Sequence, residues 1–266
     1  KIFPMETIRN ITYSIVTGGA GGLGKAFAFE LASKGFGTIL IDLPGRGLDV
    51  ICNEIKNRYK NDSVYYETDL TKIENIINVT SDINVKYPVS VLINNAGVGG
   101  TRRFDLADVN YINTIIQLNV MATTVMTRQL FSNLKMQEKA YVLNVSSMAA
   151  FSPIAFKTVY PASKAFVHSF TRGLYEEYKK TNVFISVVNP GPMRTNPEIT
   201  ARIDKQGFWG KLGLLSPEKV AEISVRQLFK RDTLIMLNGF NWLVLKVLPI
   251  WIRLPLLSRA VRRELM

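Results

Sequence analysis

Cysteine and histidine are almost missing from this chain of 266 residues, which has one of each, Cys52 and His168. A single thiol excludes an intrachain disulfide, and the usual metal-binding spacings need several Cys or His, so no metal site is expected. A reducing, cytoplasmic setting follows. Asn10, Asn61 and Asn78 begin glycosylation-type triplets, but such short patterns arise by chance and nothing else points to secretion. Acidic side chains are also scarce, 21 against 33 Lys and Arg, a net charge of +12. That balance suits a phosphorylated ligand or an anionic membrane face; no nucleic-acid partner is expected. The opening Lys1-Ile2-Phe3-Pro4-Met5 is too short and interrupted for a signal peptide, and a removed leader upstream stays open.

What is present is a core. Hydrophobic residues make up 47% and charged residues 20%, enough apolar surface to fold without disulfides or metals. An apolar, β-branched run at 11–16 leads into Thr17-Gly18-Gly19-Ala20-Gly21-Gly22-Leu23-Gly24 and then a helical pattern through Leu31 and Ala32. A second strand at 37–41 ends at Asp42. Helical patterns at 47–60 and 71–86 alternate with strands near 63–68 and 89–94. Then come a long helix near 108–135, a strand at 140–145, a helix near 160–180 and a strand at 183–189. This alternation predicts an α/β fold: a single doubly wound Rossmann-type domain with a seven-stranded parallel sheet, order 3-2-1-4-5-6-7, flanked by helices. The domain is assigned to 1–239, with 240–266 as an amphipathic C-terminal extension of it.

Glycine between a strand and a helix lets backbone approach a pyrophosphate, and the helix start offers free N–H groups to that charge. Gly18, Gly22 and Gly24 fit this use, and an acid stands about twenty residues on, as dinucleotide sites require. Asp42 closes the second strand, where a carboxylate accepts hydrogen bonds from ribose hydroxyls and repels a 2′-phosphate. NAD is therefore the expected cofactor. Arg46, four residues later, keeps NADP open.

Three later segments bear on chemistry: Asn94-Asn95-Ala96-Gly97, Asn144-Val145-Ser146-Ser147 and Tyr160-Pro161-Ala162-Ser163-Lys164. Hydride transfer to a carbonyl needs a proton donor at the developing alkoxide, and the reverse needs a base. Tyrosine does both if a cation stabilises its phenolate, and Lys164 lies four residues on, on the same helix face. Together with the glycine turn, and with Pro190-Gly191-Pro192-Met193-Arg194-Thr195 after the sixth strand, these segments resemble the short-chain dehydrogenase/reductase family over about residues 8–235. The resemblance implies Tyr160 as acid/base, Lys164 lowering its pKa and binding the nicotinamide ribose, Ser147 orienting the substrate oxygen, and Ser146 as backbone support. It implies that Asn119 distorts the long helix and helps hold a water linked to the lysine. Thr17, Leu23, Asp69 with Leu70, Asn95, Ala96, Gly97, Pro190, Gly191 and Thr195 would line the cofactor, and Asn94 would steady the sheet. His168 falls one turn past Lys164 but is read as packing, and Cys52 as a small core residue.

The resemblance places the substrate between the loop after Gly97, residues 148–157 and the segment after Pro190. Val98, Met148, Ala149, Phe151, Ile154, Phe156 and Met193 favour an apolar alcohol or ketone; the alternative is that Thr101, Arg102 and Arg103 face an anionic group. The tail carries Trp242 and Trp251 among aliphatics, broken by Lys246, Pro249, Arg253 and Pro255; its longest uncharged run, 233–245, has 13 residues, short of the about 20 that a membrane span needs. Such a tail lies on a bilayer, closes a lipid-sized pocket or forms a subunit contact. It is similar to extensions in the branch of the family that modifies steroids and acyl chains. The resemblance also implies a homodimer or homotetramer through the helices near 108–135 and 158–180. Asp42-Leu43 departs from the basic residue which that branch carries there for NADPH. The expected function is NAD-dependent interconversion of a secondary alcohol and ketone on an apolar molecule; the alternatives are an NADPH-dependent ketoreductase of acyl or sterol substrates and a catalytically silent cofactor-binding regulator.

Overall fold

The computed structural model describes residues 11–194, 200–201, 214–237 and 247–264. Seven parallel strands form one sheet in the order β3-β2-β1-β4-β5-β6-β7, matching the order expected from sequence. They are β1 (Tyr13–Thr17), β2 (Gly37–Asp42), β3 (Ser63–Glu67), β4 (Val89–Asn94), β5 (Ala140–Val145), β6 (Val183–Asn189) and β7 (Leu234–Met236). Helices α1 (Gly22–Ser33), α2 (Leu48–Tyr59) and α3 (Ile73–Lys86) join the first four strands.

The strands read as unbroken apolar runs because both faces are covered. Successive side chains point to opposite faces, so Ile15, Ile39, Ile41, Leu92 and Val142 meet Ile76 and Ile83 of α3 and the apolar face of the helix before β5. Their neighbours Val16, Leu40, Ile93 and Leu143 meet Phe27 and Leu31 of α1, Ile51 of α2 and Val225 of a later helix. That later helix, α7 (Pro217–Phe229), is capped by Ser216, whose hydroxyl accepts the Lys219 N–H. Sequence reading did not separate it from its surroundings.

The long helix expected at 108–135 is divided. α4 (Val109–Ile116) passes into a π-helical turn, Gln117–Ala122, before α5 (Thr123–Met136). A π turn widens the helix by one residue and re-aims its side chains, and Asn119 sits in this one. α6 (Val159–Tyr178) leads into β6, and α8 (Ile250–Arg262) closes the described chain. Of the prolines that interrupt the apolar tail, Pro249 stands at the N-cap of α8 and Pro255 lies inside it. There proline has no N–H to offer the Trp251 carbonyl, the acceptor one turn back. The boundary drawn at 239/240 lies outside the described residues.

β1 and β4 are neighbours although α1 and α3 leave the sheet on opposite faces, which opens a crevice at their C-terminal ends. Beside it, Asn94 at the end of β4 pairs in register with Asn144, one residue before the end of β5. The Asn94 amide donates to Asn144 Oδ1 at 2.8 Å and to Thr127 Oγ1 at 2.9 Å, and Asn144 donates to Thr171 Oγ1 at 2.9 Å, so two buried amides tie the strands to α5 and α6. Asn94→Ala strands the Asn144 oxygen without that donor and is expected to lower stability by about 1–3 kcal/mol in urea unfolding; a loss under about 0.5 kcal/mol would show the tie to be dispensable.

Candidate active site

The glycine turn is fastened at both sides of the crevice. Gly18 leaves β1 with φ 66°, a left-handed value that suits glycine. Its N–H and that of Gly19 donate to the Ile41 carbonyl at 2.7 and 3.2 Å. The next N–H, of Ala20, donates to Asp42 Oδ2 at 2.9 Å, while Leu43 N–H donates to Asp42 Oδ1 at 2.8 Å. Asp42 thus anchors the turn to the end of β2, a structural duty that the sequence did not reveal. Across the crevice, Thr17 Oγ1 accepts the N–H groups of Asn95 and Ala96, both at 3.0 Å, and Asn95 Nδ2 donates to Thr17 O at 3.0 Å and Gly18 O at 3.2 Å.

α1 then starts hard against this turn. A Cβ on Gly24 would lie 1.8 Å from the Gly18 carbonyl oxygen, whereas one on Gly21 would meet nothing within 4 Å. Helix and turn must touch, and the space in front of the helix is open. No side chain caps α1 and no acid stands in its first turn, so its leading N–H groups and positive dipole end are available to an anion. Leu23 is buried beneath. Asp69 is used locally: its Oδ1 accepts the N–H and hydroxyl of Thr71 at 2.9 and 2.7 Å, and Leu70 is buried in the core. Arg46 is exposed in the turn after β2.

α6 carries Tyr160 and Lys164 one turn apart. Lys164 is 5% exposed, and its Nζ donates to the Val145 carbonyl at 2.8 Å. Burial pulls its pKa down to about 8. The Tyr160 phenol is pushed up by burial and drawn back by the Ser147 hydroxyl. Ser147 heads a short 3-10 turn, Met148–Phe151, where its Oγ accepts the Ala149 N–H at 3.1 Å. Ser146 Oγ donates to the Lys164 carbonyl at 2.7 Å.

Asn119, fully buried, clamps the loop after β4. Its Oδ1 accepts the Val98 N–H and its Nδ2 donates to the Val98 carbonyl, both at 2.9 Å. Nδ2 also donates to Ser163 Oγ at 2.9 Å, and that hydroxyl donates to the Tyr160 carbonyl at 2.7 Å. The side-chain amide is thereby spent on protein groups. The clamp sets two glycines: a Cβ on Gly97 would stand 3.1 Å from both Asn119 Oδ1 and Lys164 Nζ, and one on Gly99 would stand 2.8 Å from the Tyr160 ring. Sequence reasoning singled out neither Gly99 nor Ser163. The only signal was a cluster of glycines at 97, 99 and 100 just past a strand.

Asn119, Ser147, Tyr160 and Lys164 are therefore brought together beside Gly97, with the glycine crevice adjoining. Met148, Ala149 and Val98 border the same region, Val98 being 39% exposed. Pro190 accepts the Met148 N–H at 2.9 Å, Gly191 follows it half-buried, and Met193 packs against the core on the α1 side. Thr195 lies outside the described residues. Thr101, Arg102 and Arg103, the alternative contacts for an anion, have partners within the protein: the Thr101 hydroxyl bonds Glu264, Arg102 lies 4.8 Å over the Tyr111 ring and Arg103 pairs with Asp105 at 2.7 Å. His168 stands apart, its Nδ1 3.3 Å from Asn189 Oδ1 and its ring edge-on to Phe151. Cys52 is a buried core residue whose thiol burial pushes up.

The sequence profile described as short chain dehydrogenase matches residues 12–206, and the chain belongs to that family. It is 33% identical over 182 residues to very-long-chain 3-oxoacyl-CoA reductase-B of Danio rerio, which covers 67% of this chain and 58% of that protein. It is 30% identical over 198 residues to human 17-beta-hydroxysteroid dehydrogenase type 3, covering 73% and 64%. The matches thus span less than two thirds of these relatives' own length. A solved 7beta-hydroxysteroid dehydrogenase superposes with a TM-score of 0.81 at 19% identity, over 96% of this chain and 97% of that one, a likeness of fold.

The depressed Lys164 pKa makes stability depend on pH. Between about 8 and the ordinary 10.5, the unfolded chain holds a proton that the folded chain has shed, so stability rises with pH across that window. Lys164→Met removes the effect. Without cofactor, the wild type is expected to gain on this variant by up to about 3 kcal/mol as pH rises from 7 to 10.5, read by urea unfolding; a gap constant with pH would contradict a desolvated amine.

Proposed function

We propose that this chain is an oxidoreductase that exchanges a hydride between a nicotinamide dinucleotide, NAD in preference to NADP, and a secondary alcohol or ketone on an apolar, lipid-like molecule. The observation that carries this reading is the meeting of Tyr160, Lys164, Ser147 and the Asn119 clamp at the mouth of the glycine crevice. Names of the relatives, one acting on acyl-CoA and one on hydroxysteroids, support the substrate class.

The residues present fit a dinucleotide. The uncapped start of α1, fronted by open space at Gly21, suits a pyrophosphate, and Thr17, Gly18, Gly22, Leu23 and Gly24 frame it. Asp42 and Asp69 with Leu70 would hold the adenosine end, Asn95, Ala96, Gly97, Pro190, Gly191 and Thr195 the nicotinamide end. When bound, the nicotinamide supplies or accepts the hydride. Tyr160 gives its phenolic proton to the alkoxide oxygen in reduction and takes it back in oxidation, while Ser147 donates to that oxygen and orients it. Lys164 holds the nicotinamide ribose and favours phenolate through its charge. With its side chain committed to Val98 and Ser163, Asn119 would serve the proton relay through its carbonyl, which here accepts the Thr123 hydroxyl at 3.0 Å.

Cofactor choice rests on Asp42, whose charge opposes a 2′-phosphate. Arg46 favours a second reading, an NADPH-dependent ketoreductase, because it is exposed just beyond the anchored carboxylate. Both α4 and α6 present apolar side chains outward, among them Val109, Ile116 and Phe166, as a contact with a second copy would need.

Turnover and cofactor titration test the reading. With an active substrate from a panel of steroids, fatty alcohols and acyl ketones, Tyr160→Phe is expected to lose about 10²- to 10⁴-fold in kcat. Wild type should bind NAD more tightly than NADP, and Asp42→Asn, which keeps an acceptor for Ala20, should narrow the gap. Near-full activity of Tyr160→Phe would overturn the mechanism, and tighter NADP binding by wild type would favour the second reading.

Membrane contact is proposed at the outer face of α8. Trp251 and Ile250 are exposed there at 72 and 48%, Val247 just before the helix is exposed at 72%, and Arg259 lies in its last turn. Among the described residues no helix is long and apolar enough to cross a membrane, so the contact would lie along the surface. Wild type is expected to sediment with anionic vesicles and Trp251→Ser to do so less. Equal sedimentation of the two, or none by wild type, would contradict it.

A further inference from the structure

We infer that Glu264 is a positioning residue for this reaction, holding the two chain segments that flank Tyr160 at a fixed spacing; the inference rests on Tyr160 being the acid/base. Glu264 lies just past α8, with its side chain 1% exposed. Its two oxygens serve different segments. Oε2 accepts the hydroxyl of Thr101, in the loop after β4, and Oε1 stands 2.8 Å from Lys157 Nζ, in the segment entering α6. Thr101 is two residues from Gly99, which abuts the Tyr160 ring, and Lys157 is three residues from Tyr160 itself.

Other contacts close the same seam. Ser258 Oγ of α8 accepts the Ala155 N–H at 3.2 Å, and the Arg262 guanidinium lies 5.5 Å over the Phe156 ring. Phe156 has φ 67°, an uncommon conformation for a phenylalanine that neighbours must hold in place. Its carbonyl accepts the Arg102 N–H at 2.7 Å, joining the two segments directly. A carboxylate taken out of water loses hydration that its partners only partly return, so a buried pair of this kind adds little net stability over an apolar filling. What it adds here is register: one rigid group with two acceptor atoms requires Thr101 and Lys157 to arrive together. Thr101 and the α8 turn thus belong to the machinery that sets Tyr160, a use different from the alternative of an anion contact at residues 101–103.

Hydrogen–deuterium exchange on the full chain, with steady-state kinetics, tests this. Glu264→Gln is expected to speed exchange in 97–104 and 152–158 while leaving β1 and α1 protected and NADH affinity unchanged. Its kcat should fall about 10- to 100-fold, as misplaced reacting groups do, with a smaller change in KM. Thr101→Val, which removes one hydroxyl and leaves the ion pair, should loosen 97–104 alone and lower kcat less; it carries the test if Glu264→Gln does not fold. Unchanged exchange in both segments, or kcat kept despite faster exchange, would overturn the assignment, as would loss of NADH affinity in step with kcat. Exchange is read without turnover, so a wild type inactive on every substrate, with the seam loosened in Glu264→Gln, would refute the proposed reaction and uphold the contact.

Discussion

Lys164 carries its amino group into a space where burial alone brings the pKa to about 8, and one hydrogen bond, to the Val145 carbonyl, holds it there. The same desolvation raises the Tyr160 phenol. Each charge alone is disfavoured, but the pair is another matter. Were the ammonium and the phenolate to come within about 4 Å of each other, they would attract by about 1 kcal/mol in water and about 4 kcal/mol at an effective dielectric of 20. The larger figure corresponds to about three pKa units, enough to bring a phenol from about 10 toward neutrality, less what burial takes back. Exclusion of water is what makes the proposed acid/base workable.

The fold serves that exclusion. Asn119 reaches from the π turn to hold both backbone groups of Val98, which sets Gly97 against the amine and Gly99 against the phenol ring. The Asn94–Asn144 pair fixes the strand ends beneath, and Asp42 with Thr17 fixes the glycine turn beside them. Ser163 links the clamp back to the Tyr160 backbone. From the far side, α8 closes over the loops through Glu264 and Ser258. Each of these contacts constrains backbone around the proposed reacting side chains.

Much of the fold was legible because its signals are local. Alternating Ile39, Leu40 and Ile41 must bury on two faces, which only a covered parallel sheet allows, and glycines at 18, 22 and 24 mark a strand-to-helix turn. Tyr160 and Lys164 share a helix face by spacing alone. The less visible features are long-range or geometric. Gly99 matters for what lies against it, a contact that no local pattern encodes. Asp42 reads as a ligand for ribose, yet its anchoring of Ala20 depends on how the turn folds back. Glu264 and Thr101 are 163 residues apart, so their contact appears only once the tail has docked. Pro255 marked only a break in the apolar run; that α8 continues through it depends on tertiary packing, unseen in sequence, outweighing one lost backbone bond.

The central claim is that a buried ammonium makes Tyr160 acidic once the nicotinamide ribose engages Lys164. Ultraviolet difference titration of the NAD-saturated chain against Tyr160→Phe measures that acidity directly. One extra tyrosinate appearing at least about two units below the ordinary tyrosine value of about 10 is the result expected. Its absence until pH 10 or above, with NAD shown to be bound, would contradict the account.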